Sequence, residues 1–506
     1  MSRTTGSIYA AYDQMIARVE ASVASYDPRI DGCESADVRA RIVQRIVQLT
    51  ADEFSAQAIK GAASRGSFSG GGLTIAESGT VSISLRLWAV SAAYFIASWL
   101  EVTAGFLRGL VSAAPRRSTR CTILMEAGGG YEDDDQQFVR FCREGPVEPL
   151  AHATEIVVQT SQAPRRSVRS NVAYAPRALA YVINATLSAR DRRAALRRHL
   201  LAPSRYVAAL VRCPLAVLVS RDLSLVPVVG WLDRAGLIEA VIVTTSAFPA
   251  QPLWMKGLAG QRFALHMVWY SQNFVPKMYV GETERSSLPA ARHMRVDVHW
   301  VWTRGFEAYL RELGSTSRVE VVGPLLWYLP ETTPTVRDGS VKIAVFDITP
   351  LPDGQTAFGA LKNYYSVTTI ARFITDIVEN AEALAAESGR QVRVLIKHKR
   401  APKAGYHDSS YLEMLEAMAR VKPHVALIDH HTNLFGLLSE CDLSISVPWT
   451  STAYVGAHLG KPGIYYDPFG ELVATHEPNP FVHFAAGPDA LRRTIRQCVA
   501  FEPIAS

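Results

Sequence analysis

The 506-residue chain has little of what usually announces a chemistry. It carries no GxSxG, HExxH, Walker A or protein-kinase set, which sets aside hydrolase, metalloprotease and P-loop readings. Cysteine is scarce: the six residues, at 33, 121, 142, 213, 441 and 498, are far apart and form no CxxC or Cys/His pattern. That spacing excludes a disulfide framework and a zinc module and predicts reduced thiols in a cytoplasmic protein. The N-terminal stretch MSRTTGSIYAAYDQM lacks the apolar core of a signal peptide. No repeat recurs at a solenoid period. With 48% hydrophobic and 20% charged residues, the composition is globular, and the length asks for two or three domains.

Net charge is also low, at +6, but the arginines are unevenly spread. Arg116, Arg117 and Arg120 lie together, followed by Arg165, Arg166 and Arg169, then Arg190, Arg192, Arg193, Arg197, Arg198 and Arg212. Such clusters are either a solvated face or a surface for anionic lipid or polymer. No recognised nucleic-acid module accompanies them, so nucleic acid is not an expected partner. One apolar run, LWAVSAAYFIASWLEVTAGFL (87–107), has Glu101 as its sole charge and arginines at both flanks. Its length fits a buried helix first, then an interfacial helix, then a membrane span. Together with the arginines it suggests peripheral attachment to the inner face of the cytoplasmic membrane.

Residues 1–115 read as helical, with SRGSFSGGGLTIAESGT (64–80) as a loop. From about 120, short β-branched runs alternate with helical segments. CTILMEA, EIVVQT, LAVLVS, EAVIVTTS, FALHMVWY, VHWVW and VEVVG read as buried strands. After a Pro- and Thr-rich linker the alternation restarts with VKIAVFDITP, VRVLIKHKR, HVALIDH, CDLSISV and GIYYD as strands. This pattern predicts an α/β chain with two parallel-sheet domains, at 116–330 and 331–506, behind a helical region at 1–115. Ligands of such sheets bind beyond the C-terminal strand ends, in a cleft.

The residues that could carry chemistry lie just after strands. In SVPWTSTAYVGAHLGKPGIYYDP (446–468), Thr450, Ser451 and Thr452 stand where a strand gives way to a helix. One hydroxyl would cap that helix, whereas three together suit a phosphate. VLIKHKR (394–400) ends a strand in Lys397, His398, Lys399 and Arg400: Lys397, His398 and Arg400 are candidate contacts to a nucleotide or its phosphate, and His398 could give a proton to a leaving phosphate. Asp347 with Thr349, and Asp467, end other strands as turn or ligand residues. In the first α/β domain Glu126 and Asp222 are candidate general bases, and Tyr270, Gln272 and Asn273 candidate acceptor contacts. Asp133, Asp134 and Asp135 read more simply as helix N-terminal charge than as a metal site.

Residues 260–490, through VLIKHKR, LIDHHTNLFGLLSECDLSISVPWTSTAYVGAHLGKPGIYYDP and VHWVWTRGFEAYLRELG, resemble GT-B glycosyltransferases of bacterial surface-carbohydrate biosynthesis. Lys397–His398 and Ser451–Thr452 look like the basic-His and Ser/Thr motifs of transferases that use CMP-linked nonulosonates or Kdo. The resemblance implies two Rossmann-like domains, a nucleotide-sugar donor and a glycan acceptor as substrates, and metal-independent transfer with no cofactor. The family motif has Pro after the His where this chain has Lys399. A UDP- or GDP-sugar donor, a glycerophosphotransferase, and a non-catalytic nucleotide-sugar-binding scaffold therefore stay open.

Overall fold

A computed structural model describes residues 5–26, 28, 30, 32–59, 67–111, 115–125, 135–160, 165–166, 171–244, 251–271, 278–281, 294–325, 339–350, 364, 366–399, 401, 408–475 and 478–500. The chain forms two compact units: Met1–Tyr270 with Leu288–Val301 and Leu310–Val322, and Ser271–Ser287 with Trp302–Tyr309 and Gly323–Ser506.

The first unit opens with α1 (Thr5–Ala24) and α2 (Ser35–Ile59). The stretch read as a loop then forms a small antiparallel sheet, β1 (Phe68–Gly70), β2 (Leu73–Ile75) and β3 (Val81–Ile83). Gly71 and Gly72, at φ 58 and 79, make the two-residue turn between β1 and β2 that needs positive φ at both positions. Helix α3 (Leu85–Val111) follows. Its exposure, described below, is not that of the buried helix the sequence predicts first.

The strands β4 (Cys121–Met125), β5 (Ile156–Gln159), β6 (Arg165–Arg166), β7 (Val172–Ala175), β8 (Ile238–Thr244), β9 (Ala264–Val268), β10 (Val298–Val301) and β11 (Arg318–Val321) form one sheet. Its order is β11-β10-β9-β8-β4-β5-β7-β6, parallel except for the β6 edge. The central strands β4 and β8 are buried at every position but one each, Met125 and Glu239, as parallel strands covered on both faces should be. LAVLVS is not one of them. It continues from Pro214 as a 3-10 turn into the helix Ser220–Arg234, so an apolar run without period became core helix.

The second unit contains β12 (Val341–Phe346), β13 (Val392–Lys397), β14 (Val425–Ile428), β15 (Leu443–Ser446), β16 (Gly463–Asp467) and β17 (Val482–Ala486). All are parallel, in the order β14-β13-β12-β15-β16-β17. Counted in chain order this is 3-2-1-4-5-6, and the parallel strands of the first unit begin with the same 3-2-1-4-5-6 order. Two Rossmann-like units behind a helical N-terminal part make up the GT-B class that the sequence predicts. The helix Val367–Ser388 presents Ile370, Phe373, Ile374 and Ile377 to the sheet at helical spacing, is capped by Ser366, and ends on Gly389 in the left-handed conformation.

Candidate functional site

In the second unit chain order reverses between β12 and β15, and the site is built where both strands end. At such a switch point the two following loops diverge and leave a crevice. Three loops supply the site: that after β12 (Asp347 to Pro350), that after β13 (His398, Lys399), and that after β15 (Val447 to Ser451).

Asp347 is the hub. Its carboxylate is buried and accepts from His398 Nδ1 at 3.0 Å, Tyr411 Oη at 2.9 Å and the Lys399 backbone N–H at 3.2 Å. The hydrogen bond from His398 to Asp347 raises the imidazole above its ordinary pKa, against the opposing effect of burial. Burial, then Asp347, holds Tyr411 well above the phenol range, so its hydroxyl stays a donor. The result is an imidazole biased toward its protonated form and fixed through Nδ1, with Nε2 as its second donor.

Around this pair lie hydroxyls. Thr349 Oγ1, in the loop after β12, and Ser446 Oγ, at the end of the adjacent β15, are buried with no hydrogen-bond partner among the described residues. A buried hydroxyl without a partner costs free energy unless something fills the place, which makes this a candidate for ligand-facing ground. Thr450 donates to Val447 O at 2.9 Å and lies 3.3 Å from the Thr452 hydroxyl, while Ser451 Oγ is 3.1 Å from Ser271 Oγ. Ser451 occupies the N-cap position of the helix Thr452–His458 without a side-chain cap bond. The hydroxyl cluster is therefore not explained by capping.

The backbone at this point is unusual. Trp449 is the non-glycine residue at positive φ, 67, among the described residues. Its ring is buried, stacked on Phe484 at 5.6 Å and edge-on to Tyr465 at 5.2 Å, and Tyr465 Oη donates to Thr450 O at 2.5 Å. Gly463 lets the following helix close on β16: a Cβ there would sit 2.7 Å from Ala453 Cα.

Other sequence candidates fall elsewhere. Lys397 is buried, and its ammonium donates to the backbone carbonyls of His430 at 2.8 Å and His398 at 3.3 Å. It ties the loop after β13 to the loop after β14 instead of meeting a phosphate. Asp467 is fully buried and takes bonds from Tyr364 Oη, Phe469 N and Leu472 N, so it organises a turn and is not a ligand contact. Asp222 is not at a strand end. It lies in the first turn of a helix, buried, paired with Arg41 at 2.8 Å and bonded by Leu253 N at 3.0 Å, which removes it as a general base. Tyr270 is half-buried after β9. Glu126, Gln272, Asn273, Arg400, Asp133 and Asp134, and the side chain of Asp135, lie outside the described residues. Sequence reasoning missed Tyr411, whose partner is 64 positions away, and the unpartnered Ser446 hydroxyl. It also missed the group Asp429, His430 and His431, whose ligand atoms lie within 4.8 Å of one another and could hold a metal ion.

Residues 205–495, more than half of the chain, match the family described as polysaccharide biosynthesis PFTS motif protein. No curated protein matches the sequence. Among solved structures, the apo form of OtsA is similar at 10% identity and TM-score 0.39, over 76% of this chain and 92% of that one. A glycosyltransferase from Rickettsia africae ESF-5 is similar at 12% identity and TM-score 0.37, over 76% and 89%. A variant of the wall teichoic acid polymerase TagF is similar at 8% identity and TM-score 0.36, over 79% and 88%. At these values the likeness bears on neither substrate nor mechanism.

Proposed function

Since the chain belongs to the polysaccharide biosynthesis PFTS motif proteins, we propose that it is a glycosyltransferase that takes a nucleotide-sugar at the switch point of its C-terminal unit. The single observation that carries this is the buried Asp347–His398 pair beside unpartnered hydroxyls at the ends of β12 and β15. A protonated imidazole can donate to a phosphate oxygen as the bond from the sugar carbon to that oxygen breaks. The acceptor hydroxyl oxygen forms the new bond to the sugar carbon and gives its proton to a carboxylate. With Asp222 removed, Glu126, next after β4, is the candidate for that base. The hydroxyls of Thr450, Ser451 and Thr452 bind the departing phosphate in this reading, and Asp347 is a positioning residue.

The donor is a CMP-linked nonulosonate or Kdo-type sugar on the strength of the His398 and Ser451–Thr452 pattern. A UDP- or GDP-sugar is the second reading, favoured by Lys399: its backbone N–H donates to Asp347, a bond that Pro at this position could not make. The reaction takes place in the cytoplasm against an anionic membrane surface, on a glycan acceptor.

Thermal-shift titration with CMP, UDP, GDP and CDP tests the site, because a ligand of the folded state raises its stability by mass action. The expected result is a shift with one nucleotide that is lost in Thr349→Val, and transfer that falls about 10²–10⁴-fold in His398→Gln with that shift retained. No shift with any of the four sinks the donor site. Full transfer by His398→Gln sinks the acid, and nucleotide binding without transfer or donor hydrolysis leaves the scaffold reading.

A further inference from the structure

Helix α3 is long and apolar enough to cross a membrane over Leu85–Gly109, yet only 28% of its most apolar window is buried. The comparable run Pro214–Arg234 is 83% buried, as a core helix should be. One side of α3 does pack on its own unit. Phe95 stacks on Tyr206 at 4.0 Å, Trp99 Nε1 donates to His199 O at 3.3 Å, and Phe106 is fully buried. These contacts hold the helix along the unit, as an interfacial helix would be held and a spanning one would not. The other side stays bare. Leu85, Trp88, Val90, Tyr94, Ile96, Leu100, Leu107 and Val111 are exposed, Leu85 at 83% and Val111 at 91%. An apolar stripe of this size on a water-soluble surface calls for a partner.

The charges around the stripe say which. Exposed Arg86 and Arg108 stand near its two ends, roughly 33 Å apart at 1.5 Å per residue. The helices that Trp99 and Phe95 touch, Ala189–His199 and Ala202–Arg212, repeat the combination. They and the link between them expose Leu200, Leu201, Val207 and Val211 together with Arg190, Arg193, Arg197, Arg198 and Arg212. Residues 85–120 and 176–212 hold thirteen arginines, no lysine, and two acids, Glu101 and Asp191. Glu101 is paired with Arg177, and Asp191 accepts from Ser118 and Ser188. A second copy of the chain would bring these like charges together. An anionic bilayer would accept the apolar side chains at its headgroup boundary and pair phosphates with guanidinium groups.

We propose that the exposed face of α3, with the arginine-bearing helices beside it, is a monotopic docking surface for anionic phospholipid. The proposal gives the membrane location in the reading above a specific surface, and it does not depend on the sugar chemistry.

Vesicle co-sedimentation of the full chain, without donor or acceptor, tests it. Binding to phosphatidylcholine vesicles containing phosphatidylglycerol is expected, with little binding to phosphatidylcholine alone and weakening as salt rises. Leu100→Glu with Leu107→Glu, or Arg193→Glu with Arg197→Glu, should each weaken binding at least about tenfold. Both pairs are exposed, so far-UV circular dichroism should be unchanged, and the arginine pair carries the test if the leucine pair misfolds. Equal binding to both vesicle types, or undiminished binding by the folded variants, overturns the proposal. So does self-association in vesicle-free solution that the leucine variant abolishes, which would identify a second copy as the occupant. Vesicle binding by a protein that transfers nothing would count against the transferase reading alone.

Discussion

Asp222 and Asp347 look alike in the sequence, each an aspartate after an apolar run, yet the two units use them in opposite ways. Asp222 is paired with Arg41 and bonded by the Leu253 backbone N–H, so its carboxylate is locked in place. Asp347 is paired with His398, an imidazole that can give up a proton. The histidines show the same divide. In the first unit His266 Nδ1 accepts from Trp300 Nε1 at 3.2 Å and His299 Nδ1 accepts from Trp269 Nε1 at 3.1 Å. Each imidazole is buried and held as an acceptor, and burial pushes His266 down to about 4 and His299 down to about 3. In the second unit the partner is a carboxylate, and the imidazole moves the other way. Burial alone does not decide what a polar side chain does. At His266 and His299 a donating indole holds the imidazole as an acceptor, and at His398 an accepting carboxylate favours the proton.

The contrast can be broken at its strongest point first. Arg41→Ala leaves Asp222 buried without its cation, and loss of one partner of a buried pair costs about 3–5 kcal/mol. Urea denaturation should show the first unit destabilised by that amount, and a change within about 0.5 kcal/mol would mean that the pair is not locked as described. The next effect is pH-dependent. Unfolded histidine takes up a proton near pH 6.5, whereas folded His266 and His299 do so only near 4 and 3. Their contribution is therefore complete above about pH 6.5 and is lost as pH falls toward those values, by up to about 1.4 kcal/mol per pH unit for each. Imidazole NMR titration should find both neutral at about pH 5.5, and ordinary titration of either would end the contrast.

His398 has the opposite sign. Its raised pKa gives stability that is present below the unfolded value and lost as pH rises through the folded one. A step that uses its proton fails over the same upper interval. Asp347→Asn removes the charge that holds the proton while burial still lowers the pKa. The alkaline limb of the transfer profile should then move to lower pH, a displacement of the curve and the smallest of the three effects. An unmoved limb in Asp347→Asn would show that the carboxylate does not set the proton.

Much of the fold is visible in the sequence because parallel strands buried on both faces leave short runs rich in apolar and aromatic residues, as in VKIAVF and GIYYD. LAVLVS shows the limit. An unbroken apolar run has no period, and only its neighbours decided for helix. The three-residue strands β1 to β3 are too short for any periodicity. The positions of Asp347 and His398 just past strand ends were legible, because the strands before them are apolar runs that end at these residues. Lys397 was misread because the sequence does not say where a long side chain at a strand end will turn. Tyr411 and the unpartnered Ser446 hydroxyl could not be found at all, since their roles exist only once distant segments meet.

The left-handed Trp449 has an entropic consequence. Its ring is clamped between Phe484 and Tyr465, so the loop after β15 already holds its bent shape. A ligand arriving there meets a surface with little conformational freedom left to surrender. For the ligand proposed above, affinity at that loop would then rest on the complementarity of the ligand itself.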